Sequence, residues 1–144
     1  MSTLTNPVES LQKVASTVMS PSKIMSFTSN KDVMQMVLLF VLLSPGLLVE
    51  LPSTAEGSKL GVMNMKTNHT AVLVHALVLM VVLMSTGVSR NKVMTAVLLF
   101  ILLSPGFVVE VPAADGDHWY TNRTSYESIA VHALLFMVLY GALR

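Results

Sequence analysis

Four ionisable side chains stand where the chain is otherwise strongly apolar. His75 and His132 lie inside apolar stretches, and Glu50 and Glu110 each end another stretch two residues before a proline. Ionisable groups at membrane depth are costly to bury and are therefore often functional. Because histidine titrates near neutral pH, a histidine beside a carboxylate could relay protons or hold a cation. The pairs Glu50 with His75 and Glu110 with His132 are the first candidates for chemistry.

A structural role is the alternative for the same four residues, and the sequence favours it. Each neutral imidazole would hydrogen-bond within its own pair of helices, and each glutamate would point into interfacial water. Two such pairs make a poor proton pathway, because no acidic residue lies at the middle of the membrane between them. A metal site has less support, because the sequence contains neither an H-x-x-x-H spacing nor any cysteine.

The segments that would position these residues occur twice. VLLFVLLSPGLLVELP at 37–52 returns as VLLFILLSPGFVVEVP at 97–112, and the histidines repeat within Val-His-Ala. The offset is 60 residues between Pro45 and Pro105 but 57 between His75 and His132, so the second copy has a shorter loop. The chain is therefore a tandem duplication. We expect a polar Ser/Thr-rich cytoplasmic tail at 1–32, a first two-helix membrane unit at 33–88 and a second at 89–144.

The composition indicates a bilayer environment. Of 144 residues, 53% are hydrophobic and 12% are charged, whereas charged residues make up about a quarter of soluble domains. The mean hydropathy is +0.66. Two of the four apolar stretches, 33–51 and 93–111, would be about 28 Å long as helices, close to a bilayer core. We expect an all-α integral membrane protein with four transmembrane helices, arranged as two tandem parallel helical hairpins; the other two stretches are 71–84 and 129–143.

The second helix of each unit should begin at a capping residue. Thr124-Ser125-Tyr126-Glu127 has the S/T-x-x-E form of a capping box and predicts that the fourth helix begins at Ser125. The equivalent start in the first unit is Thr67, where Thr70 replaces the glutamate.

A Ser-Pro-Gly motif interrupts the first helix of each unit, as Ser44-Pro45-Gly46 and as Ser104-Pro105-Gly106. Proline cannot donate a backbone hydrogen bond, so we expect a kink there. The serine hydroxyl is placed to bond a carbonyl three or four residues back, and the glycine lets a neighbouring helix approach. A kinked packing helix is the favoured interpretation, and a hinge or re-entrant loop is the alternative.

The distribution of basic residues predicts the threading of the chain. If four segments span, six basic residues share one side with both termini and three share the other, so the positive-inside rule places both termini in the cytoplasm. Endomembrane or plasma membrane is favoured, and an organelle is the alternative, because the tail partly resembles a transit peptide. The sequons at Asn68 and Asn122 fall on the non-cytoplasmic side, close to helix starts, and we expect neither to be modified. The six residues are Lys13, Lys23, Lys31, Arg90, Lys92 and Arg144, and the three are Lys59, Lys66 and Arg123.

The first unit, residues 33 to about 88, resembles a family of small hydrophobic two-span plant membrane proteins known as a domain of unknown function, and the chain carries the pattern as two tandem copies. The resemblance rests on the Pro-Gly-interrupted helix, the Met65-Lys66-Thr67 loop and the Val-His that opens the second helix. The second unit keeps the Pro-Gly helix and His132 but reads WYTNRTSYES where Met-Lys-Thr would stand. The resemblance implies a plant origin and an integral membrane protein, and it supplies no activity, cofactor or catalytic residue.

No nucleophile-base pair, phosphate-binding loop or cofactor motif stands in the sequence, and a net charge of +1 gives no nucleic-acid footprint. We therefore expect a protein that is not an enzyme, uses no cofactor and has a binding, assembly or membrane-organising role. Its expected partners are the lipid bilayer and other membrane proteins or further copies of itself. The alternative is a small channel or transporter component that uses the His-Glu pairs.

Overall fold

The computed structural model describes residues 7–18, 20–53, 61–113, 116 and 118–144. Lys59, which entered the count of basic residues, lies outside them. Within the described residues the chain is mostly helical, which confirms the all-α class at this level. The elements are α1 (Pro7–Val18), α2 (Pro21–Thr28), α3 (Lys31–Leu43), β1 (Val49–Glu50), β2 (Gly61–Val62), α4 (His69–Ser85), α5 (Arg90–Leu103) and α6 (Tyr126–Leu143).

The N-terminus of α4 and that of α6 are capped by equivalent residues. The Asn68 side chain accepts a hydrogen bond from the Ala71 N–H, and the Ser125 side chain accepts one from the Ser128 N–H. Each helix therefore starts one or two residues later than the sequence predicts, at His69 and at Tyr126. The threonine before each cap is instead part of the pairing between the two loops, which is described below.

The Ser-Pro-Gly motifs end the helices instead of kinking them, which corrects the predicted kinks. α3 stops at Leu43 and α5 at Leu103, and Pro45 and Pro105 lie in the turns that follow. Gly46 and Gly106 take φ values of +86° and +78°, in the left-handed region, so the right-handed helix cannot continue through them. α3 is therefore 13 residues long, or about 20 Å, instead of about 28 Å.

The serine of each motif makes the hydrogen bond expected of it. Ser44 Oγ donates to the Phe40 carbonyl at 2.8 Å, and Ser104 Oγ donates to the Phe100 carbonyl at 2.7 Å. Each of these carbonyls lies four residues before its serine. The last carbonyls of a helix have no backbone N–H partner, so the serine hydroxyl supplies a donor.

Helices from both units share one hydrophobic core. α3 packs chiefly against α6, and α5 packs against both α4 and α6, whereas α3 and α4 touch only lightly. At the centre, the Phe40 ring stacks on Phe136 with centroids 4.7 Å apart and meets Phe100 edge-on at 5.6 Å. The two units therefore interlock in one bundle, and their helices do not pack as two independent hairpins.

The loops of the two units pair with each other at one end of the bundle. Lys66 and Arg123 form an antiparallel bridge, flanked by hydrogen bonds from the Thr67 N–H to the Asn122 carbonyl and from the Thr124 N–H to the Met65 carbonyl, both 3.0 Å long. Residues 65 and 67 correspond to residues 122 and 124 at the 57-residue offset. The two bonds are therefore reciprocal, which is the pattern of a local twofold relation between the units.

Each loop also pairs with the segment that follows its Ser-Pro-Gly turn. Val49 pairs with Val62 in the β1–β2 ladder, and Val109 forms the equivalent bridge with Trp119. These short antiparallel pairings fold each loop back over the end of its own first helix.

One helix of the described chain, α6, is long and apolar enough to cross a membrane by length and composition, and α4 is a shorter apolar helix of 17 residues. Four transmembrane helices are thus not confirmed by helix length, because α3 and α5 end early. In the tail, α2 packs against α3 and α6, where Phe27 lies against Gly141.

Candidate functional site

A group of buried polar side chains lies beneath the paired loops, and we call it the polar layer. Its members come from the ends of α3 and α5, from the loops and from the first turns of α4 and α6. Each is at most 7% exposed. They are Ser44, Glu50, Thr67, His75, Ser104, Glu110, Thr124, Ser128 and His132.

The two histidines bind backbone carbonyls at the ends of the preceding helices. Nδ1 of His75 lies 2.7 Å from the Leu43 carbonyl oxygen, and Nδ1 of His132 lies 2.7 Å from that of Leu103. The last carbonyls of a helix lack intrahelical donors, so each ring supplies the N–H that its helix end needs. This is the hydrogen bond within the unit that a structural role requires.

The tautomer of His132 follows from its second contact. The Val111 N–H donates to His132 Nε2 at 3.3 Å, so this nitrogen is an acceptor and the ring proton lies on Nδ1. The imidazole is therefore neutral in this arrangement, and both of its nitrogens hold backbone groups of the same unit.

The two glutamates are buried, which corrects the expectation that they point into interfacial water. Glu50 is 0% and Glu110 is 1% exposed. Asn68 Nδ2 donates to Glu50 Oε1 at 3.0 Å and Asn64 Nδ2 donates to Oε2, while Thr121 Oγ1 donates to Glu110 Oε2 at 2.8 Å. The loop pairings described above fold these donors over the carboxylates.

The predicted His-Glu pairs are not directly bonded. No hydrogen bond between described residues joins Glu50 to His75 or Glu110 to His132. Within the same residues, no group of three or more His, Asp or Glu side chains is placed to hold a metal ion. Among the described residues, the hydrogen bonds of this site join helix ends and loops to one another and form no continuous relay.

Asn64 and Thr121, which donate hydrogen bonds to the Glu50 and Glu110 carboxylates, are residues of the candidate site that the sequence did not single out. They occupy equivalent positions at the 57-residue offset, but an amide and a hydroxyl look unrelated in a pattern search. The loops match in backbone conformation as well, since Met63, Met65, Tyr120 and Asn122 all have positive φ. The altered loop of the second unit therefore keeps the arrangement of the first.

The two units differ in how completely the polar layer is bonded. His75 Nε2 and Glu110 Oε1 are buried and have no hydrogen-bond partner among the described residues. The equivalent ring nitrogen in the second unit receives the Val111 N–H. The second unit therefore has the more fully bonded histidine.

Outside the polar layer, the most distinctive feature is an apolar exterior. The outward side chains of the four main helices are large and hydrophobic, and each is at least 39% exposed. Contiguous apolar patches of more than a few hundred Å² are rare on soluble monomers and mark contact with lipid or protein. These side chains include Leu38, Leu42, Leu73, Leu77, Val78, Val81, Met94, Leu98, Leu102, Leu134 and Leu139.

The fold and the polar layer define a small helical bundle that is built from two interlocked copies of one unit. Comparison with protein families matches residues 28–89 and again residues 88–143 to the family described as "protein of unknown function (DUF3339)". The chain belongs to this family and carries its domain twice in tandem, as the repeat predicted. Comparisons with curated proteins and with solved structures found no match.

Proposed function

We propose that the protein is an integral membrane protein in which α3, α4, α5 and α6 all cross the bilayer, with a non-enzymatic role in binding, assembly or membrane organisation. The observation that carries this proposal is the apolar exterior of the bundle. In a bilayer these side chains face lipid, so their exposure costs nothing. In water the same surface would favour aggregation.

The placement of charge supports a membrane-embedded bundle. Along α4, residues 71–84 include His75 as the one ionisable side chain, and it is buried. Residues 93–109 carry no charged residue. At the two ends of the bundle the described charged side chains include Lys31, Asp32, Arg90, Lys92 and Arg144 on one side, and Lys66, Arg123, Glu127 and the buried Glu50 and Glu110 on the other.

The short helices α3 and α5 are compatible with crossing a bilayer, because the turn that follows each helix makes up the missing length. His75 contacts the end of α3 six residues after α4 begins, so α4 rises about 9 Å beyond that level. The turn at 44–50 reaches the level where α4 begins, because Asn68, the cap of α4, donates a hydrogen bond to Glu50. Its backbone is bonded within the protein, as in the bonds from the Gly46 N–H to the Val49 carbonyl and from the Met65 N–H to the Gly46 carbonyl. Non-helical backbone is tolerated at membrane depth when the protein satisfies it in this way.

The excess of basic residues on the side of the termini supports a cytoplasmic location for both. The two copies enter the bilayer in the same direction, as parallel repeats related by an axis along the membrane normal. Endomembrane or plasma membrane is the proposed location, in a plant cell. The proposed partners are lipid and other membrane proteins, or a second copy of the chain.

A lysine in place of Leu98 tests the membrane proposal. Leu98 is 60% exposed at the middle of α5, so Leu98→Lys would be harmless in water but would place a charge in hydrocarbon. We expect the variant to lower the fraction of protein that resists alkaline extraction from membranes. Asn91→Lys, exposed at the start of the same helix, should behave as wild type. A wild-type protein found in the soluble fraction, with Leu98→Lys equally abundant, would contradict the proposal.

A channel or transporter component is the second candidate. It is favoured by His75 Nε2 and Glu110 Oε1, which have no hydrogen-bond partner within the described part of the chain. The core below the polar layer opposes it, because the contacting rings of Phe40, Phe100 and Phe136 fill the centre of the bundle. In proteoliposomes we expect no ion flux above that of empty vesicles. A pH-dependent flux that is lost in a His75→Gln and His132→Gln double variant would instead establish the second candidate.

A further inference from the structure

A polar cleft lies at the end of the bundle opposite the polar layer, and we call it the terminal cleft. It has a volume of about 200 Å³ and lies between the start of α3, the α4–α5 connection and the end of α6. Its polar lining consists of Asp32, Gln35, Ser89, Lys92 and Tyr140. None of these residues belongs to the polar layer, so the terminal cleft is a separate feature of the fold.

The hydroxyl of Tyr140 is the first sign that this cleft has a ligand. Tyr140 is 0% exposed, and its hydroxyl has no hydrogen-bond partner among the described residues. A buried polar group without a partner is costly and calls for an explanation. Packing does not require the hydroxyl, because the ring stacks on Phe136 and the equivalent position in the first unit is Leu83. A hydrogen-bond acceptor in the cleft would satisfy it.

The N-terminus of α5 is a second, independent sign. Asn30, Asn68 and Ser125 each cap their helices through the side chain, whereas Ser89 makes no such hydrogen bond, and neither does Ser20 before α2. α5 is 14 residues long, and Ser89 lines the terminal cleft. The first amide groups of a helix and its dipole together favour an anion.

The charges around the cleft also favour an anion. Lys92 lines it, and Lys92 Nζ lies 3.7 Å from an Asp32 carboxylate oxygen, while the Arg144 guanidinium lies 3.8 Å from the same oxygen. Asp32 counts against an anion, but it is mostly exposed, and exposed ion pairs are weak enough to rearrange. With Lys31 and Arg90 nearby in the sequence, the described cations at this end outnumber the single acid.

We propose that the terminal cleft binds a phosphate group, with the Tyr140 hydroxyl, the Lys92 ammonium and the N-terminus of α5 as its donors. The same chemistry could come from the headgroup of an anionic phospholipid or from free phosphate. The lipid source rests on the proposed membrane function, which would place the cleft at the cytoplasmic bilayer surface. Basic pockets between helices on that side are suited to anionic headgroups.

The test compares binding of three probes to the full-length protein in detergent. They are short-chain phosphatidic acid, inorganic phosphate and a diacylglycerol of the same chain length, and binding is read from the shift in thermal unfolding with ligand concentration. We expect at least one phosphate-bearing probe to bind and the diacylglycerol not to bind. Binding of phosphatidic acid alone identifies the lipid source, and binding of inorganic phosphate alone identifies the free ion. Binding of both identifies the phosphate group itself.

Variants assign the binding to the terminal cleft. Tyr140→Phe and Lys92→Gln should each weaken it about tenfold, because each removes one hydrogen bond to a charged group, and Asp32→Asn should strengthen it. Tyr126→Phe and Lys66→Gln change the same residue types at the opposite end and should bind as wild type. Tyr140→Phe should also fold as well as wild type without ligand, since its hydroxyl bonds nothing in the described protein.

Equal responses to all three probes would overturn the proposal. So would wild-type affinity in both Tyr140→Phe and Lys92→Gln. Failure here is distinguishable from failure of the membrane proposal, because inorganic phosphate binding needs no bilayer and the Leu98→Lys extraction experiment needs no phosphate.

Discussion

Replacing Gly106 with alanine is expected to destabilise the protein by about 3 kcal/mol, enough to deplete the folded form of a marginally stable bundle. Two causes act together. Gly106 has a φ of +78°, which an L-residue adopts only with strain. A Cβ at this position would also overlap the carbonyl oxygen of Arg123, the residue that bridges to Lys66 in the pairing between the loops. Gly46→Ala should behave in the same way, because its Cβ would overlap the Lys66 carbonyl oxygen.

Gly87→Ala is the matched control for this prediction. Gly87 has a similar φ of +75°, but a Cβ there would meet nothing within 4 Å. It should therefore cost about 1 kcal/mol from backbone strain alone. The measurement is thermal unfolding of the full chain in detergent. If Gly106→Ala and Gly87→Ala unfolded at the same temperature, the close contact between the Ser-Pro-Gly turns and the loops would be wrong.

The second large effect is expected when His132 is replaced by leucine. The variant leaves the Leu103 carbonyl and the Val111 N–H without their side-chain partner, and each buried group that loses a partner costs roughly 1–3 kcal/mol. We expect a loss of about 3 kcal/mol. His75→Leu should cost about half as much, because the described contacts of His75 include one backbone partner, the Leu43 carbonyl.

The ranking of unfolding temperatures among wild type, His75→Leu and His132→Leu distinguishes a structural role of the histidines from a proton relay. A structural role predicts that both variants lose stability and that the second unit loses more. A proton relay predicts little loss of stability and the disappearance of ion flux in proteoliposomes. Equal unfolding temperatures for the two variants and wild type would contradict the assigned hydrogen bonds.

The sequence predicted the duplication and the helical segments because both depend on local patterns. It did not predict where the first helix of each unit ends. Pro45 permits either a kinked helix or a helix end by its local effect alone. The choice is made by the positive φ of Gly46 and by the pairing of its carbonyl with the Met65 N–H, 19 residues further along the chain. Contacts at that separation leave no periodic signal in the sequence.

The polar layer was predicted in part for a similar reason. His75 and His132 stand out because each interrupts a long apolar run. The burial of Glu50 and Glu110 depends on donors in the loops, and those donors differ chemically between the units, Asn64 in one and Thr121 in the other. An alignment of the two copies at the 57-residue offset puts these residues in register. Hydropathy alone does not, because Asn64 and Thr121 are each one of several polar residues in their loops.

The proposed topology has the bundle crossing a bilayer with its termini on one side and its paired loops on the other. The most direct test is labelling of single cysteines with a membrane-impermeant maleimide, since the natural chain has no cysteine. In sealed vesicles with the cytoplasmic face outward, Ser16→Cys in the tail should react at once. Lys66→Cys in the loop should react only after the vesicles are opened, and Leu98→Cys only in detergent. Reaction of Ser16→Cys and Lys66→Cys from the same side, or of Leu98→Cys in intact vesicles, would contradict the claim.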